Sequence, residues 1–226
     1  MIRENVLKIK ERISLVCSKI NRDPNSITIV AVSKGRTKEE IREAIETSIT
    51  DIGESKVQEA ILKYQNLRPT TYNLQPVKWH LVGHLQTNKA KDAVEIFDLI
   101  HSVDSLRLAQ KINEEANKIN KVQDILMQVN TSGEVSKFGL KPFETIEVIK
   151  EIRKLKNIDI KGLMTIAPLI DDPEKTRSYF KILRELRDKI NELRTLSMGM
   201  TDDFEVAIEE GANMIRLGRA IFENAD

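Results

Sequence analysis

Lys34 follows the apolar run Ile27-Thr28-Ile29-Val30-Ala31-Val32 and sits in the tripeptide Ser33-Lys34-Gly35. A strand over this run alternates its side chains, so Lys34 shares a face with Val32 and Val30. If that face turns into the mouth of a barrel, the amine is partly desolvated. Desolvation favours the neutral amine, which attacks a carbonyl carbon to form a Schiff base. The alternative is a strand-end lysine that simply leaves for solvent.

A second cluster, Ser197-Met198-Gly199-Met200-Thr201-Asp202-Asp203, brings small and hydroxyl-bearing residues to a strand-to-helix junction. Backbone N–H groups there, with the Ser197 and Thr201 hydroxyls, make a cradle for phosphate. The nearby Arg216-Leu217-Gly218-Arg219 offers a second loop, in which Gly218 allows backbone to approach an anion closely. Two ordinary capped turns would use the same residue types. Arg216 is in phase with Met214 and is expected to face inward. An ion pair with a barrel carboxylate is open to it, as is a contact that keeps a ligand's pyridine nitrogen unprotonated.

His80 and His84 stand four residues apart, a spacing that metal sites use on helices. On a strand and turn the two do not share a face. With Cys17 alone and no adjacent carboxylate cluster, no metal site is expected. His101 is expected to be a hydrogen-bonded residue inside a barrel, and no Ser-His-Asp or Cys-His set can be assembled. The loop Ser132–Gly139 is polar and glycine-bracketed, and is expected to be a surface turn or a lid.

Positioning these groups requires a scaffold, and the chain alternates short apolar runs with longer amphipathic stretches. Strands are expected at Ile27–Val32, Thr50–Ile52, Trp79–Val82, Leu99–Val103, Ile125–Asn130, Asp159–Met164, Thr195–Met198 and Asn213–Leu217. Between them helices are expected at Lys38–Glu46, Ser55–Leu67, Thr87–Phe97, Ser105–Ile119, Pro142–Leu155, Pro173–Leu193 and Asp202–Glu210. A further helix, Ile2–Ile20, precedes the first strand. Thr37 and Asp104-Ser105 have the composition of helix starts, Pro142 and Pro173 suit first turns, and Gly211 suits a stop. This order predicts an α/β protein: a single (β/α)8 TIM-type barrel domain over residues 1–226, with an extra N-terminal helix. A doubly wound open sheet is the alternative, although no G-x-G-x-x-G follows the first strand. In a barrel the site lies at the carboxyl ends of the strands, where the polar and glycine residues fall.

Composition narrows the function classes. The 226 residues are 40% hydrophobic and 31% charged with net charge +1, which gives no electrostatic footprint for nucleic acid or membrane. Aromatics at 4% provide little for base stacking. One cysteine, and a charged N-terminal stretch without a signal-peptide core, point to the cytoplasm. No long exposed apolar stripe demands a partner, so a monomer is expected.

Several segments together resemble the pyridoxal phosphate homeostasis protein family along essentially the whole chain. They are Val30–Lys34, Gly53-Glu54 with Gln58-Glu59, Trp79–Lys89, Val129–Glu134 with Lys137–Gly139, Gly162–Pro168, Ser197–Phe204 and Ile215–Phe222. The resemblance implies a barrel like the amino-terminal domain of alanine racemase, the fold type III of proteins that use pyridoxal 5'-phosphate (PLP). It implies an internal aldimine at Lys34, and phosphate held by Ser197, Gly199, Thr201, Gly218 and Arg219, with Met200 in the same loop. It also implies Arg216 near the pyridine nitrogen. Three positions depart from the family pattern. The usual Gly-Glu-Asn reads Gly53-Glu54-Ser55, so the shorter Ser55 stands where an asparagine is expected near the ring hydroxyl. The usual Met-Ser reads Met200-Thr201, which keeps a hydroxyl, and Glu223 replaces a glycine near the end.

The function so implied is a carrier that holds and releases PLP, affects amino-acid and keto-acid balance, and makes transient contact with PLP-dependent apo-enzymes. No catalytic residue is assigned. A small fold-type-III racemase or lyase is the alternative, but Tyr64, Tyr72 and Tyr179 all fall within or after expected helices. The chain also stops soon after the eighth strand, where such racemases continue into a second domain. A Schiff-base aldolase or phosphosugar barrel without PLP would be colourless, and a pure interaction module would tolerate loss of Lys34 without any change in ligand binding.

Overall fold

The alternating pattern closes into a barrel. The computed structural model describes residues 1–67 and 76–224, so Tyr72 lies outside the described residues. Eight strands run β1 (Thr28–Val32), β2 (Asp51–Glu54), β3 (Lys78–Leu81), β4 (Leu99–Val103), β5 (Gln123–Gln128), β6 (Ile158–Met164), β7 (Thr195–Ser197) and β8 (Met214–Leu217). Each pairs in parallel with the next, and β8 returns to β1 with Val30 opposite Arg216. Outside them lie α2 (Lys38–Glu46), α3 (Val57–Leu67), α4 (Ala90–Ile96), α5 (Leu106–Lys118), α6 (Thr145–Ile152), α7 (Arg177–Asp188), α8 (Phe204–Glu209) and α9 (Arg219–Phe222). The expected extra helix, α1 (Ile2–Lys19), packs against α2, α8 and α9.

Alternation along the strands creates two apolar regions. Ile29 and Ala31 face the helices and join the main core with Ile52, Ile100 and Ile215. Residues of the opposite phase turn inward: Val30 and Val32 lie beside Gly53 and Val82, and Leu99, Leu126 and Met164 form a separate small cluster with Met214. α1 buries Ile2, Val6, Ile9, Ile13 and Val16, the three-and-four spacing of a one-sided helix.

Local chemistry sets the boundaries. Thr37 accepts from the Glu40 amide while the Glu40 carboxylate accepts from the Thr37 amide, a complete capping box on α2. Ser105 caps α5, and Gly211 ends α8 at φ +96°. Some expected helices begin later or break. Thr87–Lys89 and Pro173–Thr176 are 3-10 turns ahead of α4 and α7. Pro142 precedes α6 instead of opening it, in a turn where the Thr145 hydroxyl donates to the Lys141 carbonyl. Strand β5 stops at Gln128 because the chain folds back and Val129 bridges Leu140.

The β6–β7 contact leaves no room for a side chain at Gly162, where a Cβ would lie 1.9 Å from the Thr195 carbonyl oxygen. Relief requires moving backbone, so Gly162→Ala should cost about 3 kcal/mol in chemical denaturation. An unchanged denaturation midpoint would show that β6 and β7 separate freely.

Candidate functional site

The carboxyl ends of the strands gather the residues singled out from the sequence. Lys34 lies in the turn just past β1, exposed, with no hydrogen-bond or ion-pair partner among the described residues. The residue before it is clamped. Ser33 is fully buried, and its hydroxyl donates to Glu54 Oε1. Lys63, reaching in from α3, donates to the Ser33 carbonyl at 2.5 Å and to the same Glu54 oxygen at 2.6 Å. Ser33 and Glu54 therefore point outward under α3, and alternation turns Lys34 and Ser55 the other way, toward the mouth. Glu54 is fully buried and its Oε2 has no partner. A hidden charge is tolerated there because Lys63 neutralises it.

Inside the barrel a continuous polar chain crosses from one side to the other. Asp51 Oδ1 lies 3.0 Å from His80 Nε2, and His80 Nδ1 lies 2.9 Å from His101 Nε2. His101 Nδ1 then lies 3.0 Å from the Ser197 hydroxyl, which accepts from Arg216 Nη1 at 2.7 Å. Arg216 Nη2 donates to the Thr165 carbonyl at 2.8 Å. Arg216 faces inward as expected, but both its hydrogen bonds go to neutral oxygens rather than to a carboxylate. Burial draws the guanidinium down to about 10, with the charge of Asp203 opposing that shift, so it stays protonated at neutral pH. Burial, with the neighbouring His80 and Arg216, pushes His101 well below the usual imidazole range. Asp51 moves down: burial alone would raise it, and the contacts from His80, Thr50 and Lys78 outweigh that.

The two loops expected to cradle phosphate meet directly, since the Thr201 hydroxyl accepts from the Ala220 amide at 3.3 Å. Among the described residues, the backbone N–H groups of Gly199, Thr201, Gly218 and Arg219 have no acceptor. Gly199 sits at φ +91°, where a Cβ would lie 2.6 Å from the Ala207 methyl, so only glycine fits this turn. The Met200 amide is already bound by Asp203 Oδ1 at 2.6 Å. Ser197 is placed differently from the others: it is wholly buried and its hydroxyl belongs to the barrel chain. The Arg219 side chain pairs with Asp202 at the surface, leaving its amide as the group nearest the cradle. Orphaned donors in two touching loops suit a phosphate ester.

Residues 5–225 match the family described as alanine racemase, N-terminal domain. The chain belongs to that family. A pyridoxal phosphate homeostasis protein of Aquifex aeolicus (strain VF5) is 41% identical over 224 residues, 97% of this chain and 96% of that protein. A structure of PipY from Synechococcus elongatus PCC7942 with PLP bound has a TM-score of 0.83 at 34% identity, covering 98% of this chain and all of that one. An unknown protein from Bifidobacterium adolescentis superposes at a TM-score of 0.90 and 34% identity, covering 98% of this chain and 94% of that chain. The resemblance to homeostasis proteins drawn from the motifs is thereby borne out.

This member of the alanine racemase N-terminal domain family builds its mouth with parts that single-sequence reasoning missed. The Glu54–Lys63 clamp joins a strand to the following helix, and only the outward phase of Glu54 could have suggested it. His80 and His84 are separated in space and role. His84 stands at the mouth, stacked on Phe138 with ring centroids 3.7 Å apart. The loop carrying Phe138 is no loose turn: the Asn130 side chain accepts from Ser132 and Gly133 and donates to the carbonyls of Glu134 and Lys137.

Removing one member of the clamp strands a buried charge. Lys63→Met should destabilise the protein at neutral pH by about 3 kcal/mol, and adding Glu54→Gln should recover much of that. Equal stability of Lys63→Met and the parent in urea would mean that the pair contributes nothing.

Proposed function

We propose that this chain holds PLP covalently through Lys34 and buffers or hands on the vitamer, with no substrate turnover of its own. The observation that carries the reading is the pairing of a partnerless amine at the barrel mouth with unsatisfied amides in the last two loops. The curated relative's name and the PLP-bound structure of PipY support it. The aldehyde supplies the chemistry: it condenses reversibly with a primary amine, forming a C=N bond and releasing its oxygen as water. In this reading Lys34 is that amine. Gly199, Thr201, Gly218 and Arg219 receive the phosphate through their amides, with the Thr201 hydroxyl beside them. Met200 shapes the turn through its bond to Asp203, and Ser197 acts through Arg216. Ser55 lies on the ring-hydroxyl side, one atom shorter in reach than the family's asparagine.

Arg216 favours a carrier over a catalyst. A permanently protonated donor opposite a ring nitrogen keeps that nitrogen unprotonated, and the ring is then a weak sink for electrons. Delivery follows from reversibility, through transient contact between the open mouth and PLP-dependent apo-enzymes. A cytoplasmic monomer suits this role, and the buried free thiol of Cys17 suits a reducing compartment.

The decisive measurement is the visible spectrum of the purified protein mixed with PLP. A band should form, disappear in Lys34→Ala, and leave a borohydride-reduced adduct on Lys34. A colourless wild type would remove the reading, and amino-acid turnover well above that of free PLP would favour a small fold-type-III enzyme instead. Ser55→Asn should restore a lost contact and tighten PLP binding several-fold, an effect of about 1 kcal/mol. Weaker or equal binding would show that Ser55 costs nothing.

A further inference from the structure

The polar chain inside the barrel has a direction. Asp51, drawn down by its neighbours, is a carboxylate at neutral pH and can only accept, so His80 donates to it from Nε2. The Ser197 hydroxyl proton has His101 Nδ1 as its acceptor, so His101 carries its own proton on Nε2 and donates it to His80 Nδ1. Ser197 oxygen in turn accepts from Arg216. Every atom of the chain is satisfied in this order. The reverse order would have His101 Nδ1 donate to Ser197, leaving the serine proton with no acceptor in a fully buried place.

We propose that Asp51, His80, His101 and Ser197 form one proton-ordered chain that fixes Arg216, which makes His80 and His101 positioning residues for the ring of a ligand at the mouth. The proposal rests on the PLP reading for the identity of that ring. Each link donates toward Asp51, so each presents its acceptor side to the guanidinium. The chain thereby carries the influence of a carboxylate on β2 to a cation on β8 that touches only neutral oxygens. Barrel interiors are ordinarily filled by branched apolar side chains, as Leu99, Leu126 and Met164 fill part of this one. Two imidazoles and a hydroxyl in the same space stabilise the fold less than aliphatic packing would, so their return lies in orientation. Two of the five Arg216 N–H donors are held by Ser197 and Thr165, and those contacts set where the rest of the guanidinium points.

Two measurements test it. The first needs no PLP: long-range proton–nitrogen NMR spectra of 15N-histidine-labelled protein. At about pH 8 both His80 and His101 should be Nε2–H tautomers, and His101, pushed down by burial with His80 and Arg216 beside it, should stay neutral where a free imidazole is already protonated. An Nδ1–H tautomer at His101 would overturn the order. The second compares Arg216→Ala, His101→Phe and Asp51→Asn with PLP present. Each should weaken PLP binding about tenfold and shift the pH titration of the visible band in the same direction, with Lys34 still reducible by borohydride. Asp51→Asn keeps the shape of a half-buried side chain, so it serves if His101→Phe does not fold. A chain that only fills space would lower the melting temperature and leave the band's titration where it was, which would overturn the proposal. A wild type with no band would instead defeat the PLP reading, and the NMR result alone would then decide whether the chain is ordered.

Discussion

The mouth of this barrel is organised around one awkward charge, the buried guanidinium of Arg216. Removing a cation from water is costly unless its donors find acceptors and some negative potential compensates it. Here the acceptors are a serine hydroxyl and a backbone carbonyl. The negative potential comes from Asp203 in the seventh loop and, through two imidazoles, from Asp51. Strands β2, β3, β4, β6, β7 and β8 are thus tied together by the needs of one side chain. A barrel is suited to this, because inward positions of neighbouring strands face a shared interior.

The same closure explains why Lys34 and the two loops with unpaired amides lie at one end. Parallel strands present all their carboxyl ends on one side, so a residue just past β1 and loops just past β7 and β8 become neighbours through the β8–β1 pairing. The amine is left free by a clamp behind it. Lys63 and Glu54 hold Ser33 from the helix side, so the turn is fixed without any contact to Lys34 itself. On the proposed reading, holding the backbone and leaving the side chain unbound suits a group that forms and breaks a covalent bond reversibly.

Much of this was legible in the sequence. The phase of Arg216 with Met214 put the arginine inside, where its guanidinium meets Ser197 and Thr165. Strand ends rich in glycine and hydroxyls marked the mouth. Those signals are local, and periodicity expresses them within a few residues. The clamp and the polar chain depend on register instead. Glu54 meets Lys63 only because α3 packs back over β2. His80 meets His101 only because β3 and β4 pair with His80 opposite Leu99. Ser197 shows the limit within a single motif: the sequence put its hydroxyl in the phosphate loop, and the fold gives that hydroxyl to the barrel interior, one step below the loop. A serine is equally suited to either role, so only the strand's last residue and its inward phase decide between them.

That single step has a consequence for how binding and release are coupled. Gly199, Thr201 and Gly218 present backbone donors that cost little to reorganise, because their geometry is set by turns already formed. Ser197 couples this loop to Arg216 and to the histidines, so a shift of the loop that displaced the serine would disturb the guanidinium as well. On the proposed reading, phosphate and ring contacts are therefore not independent parts of the site. Weakening one would then loosen the other, which is the behaviour expected of a protein that must let go of its ligand as well as hold it.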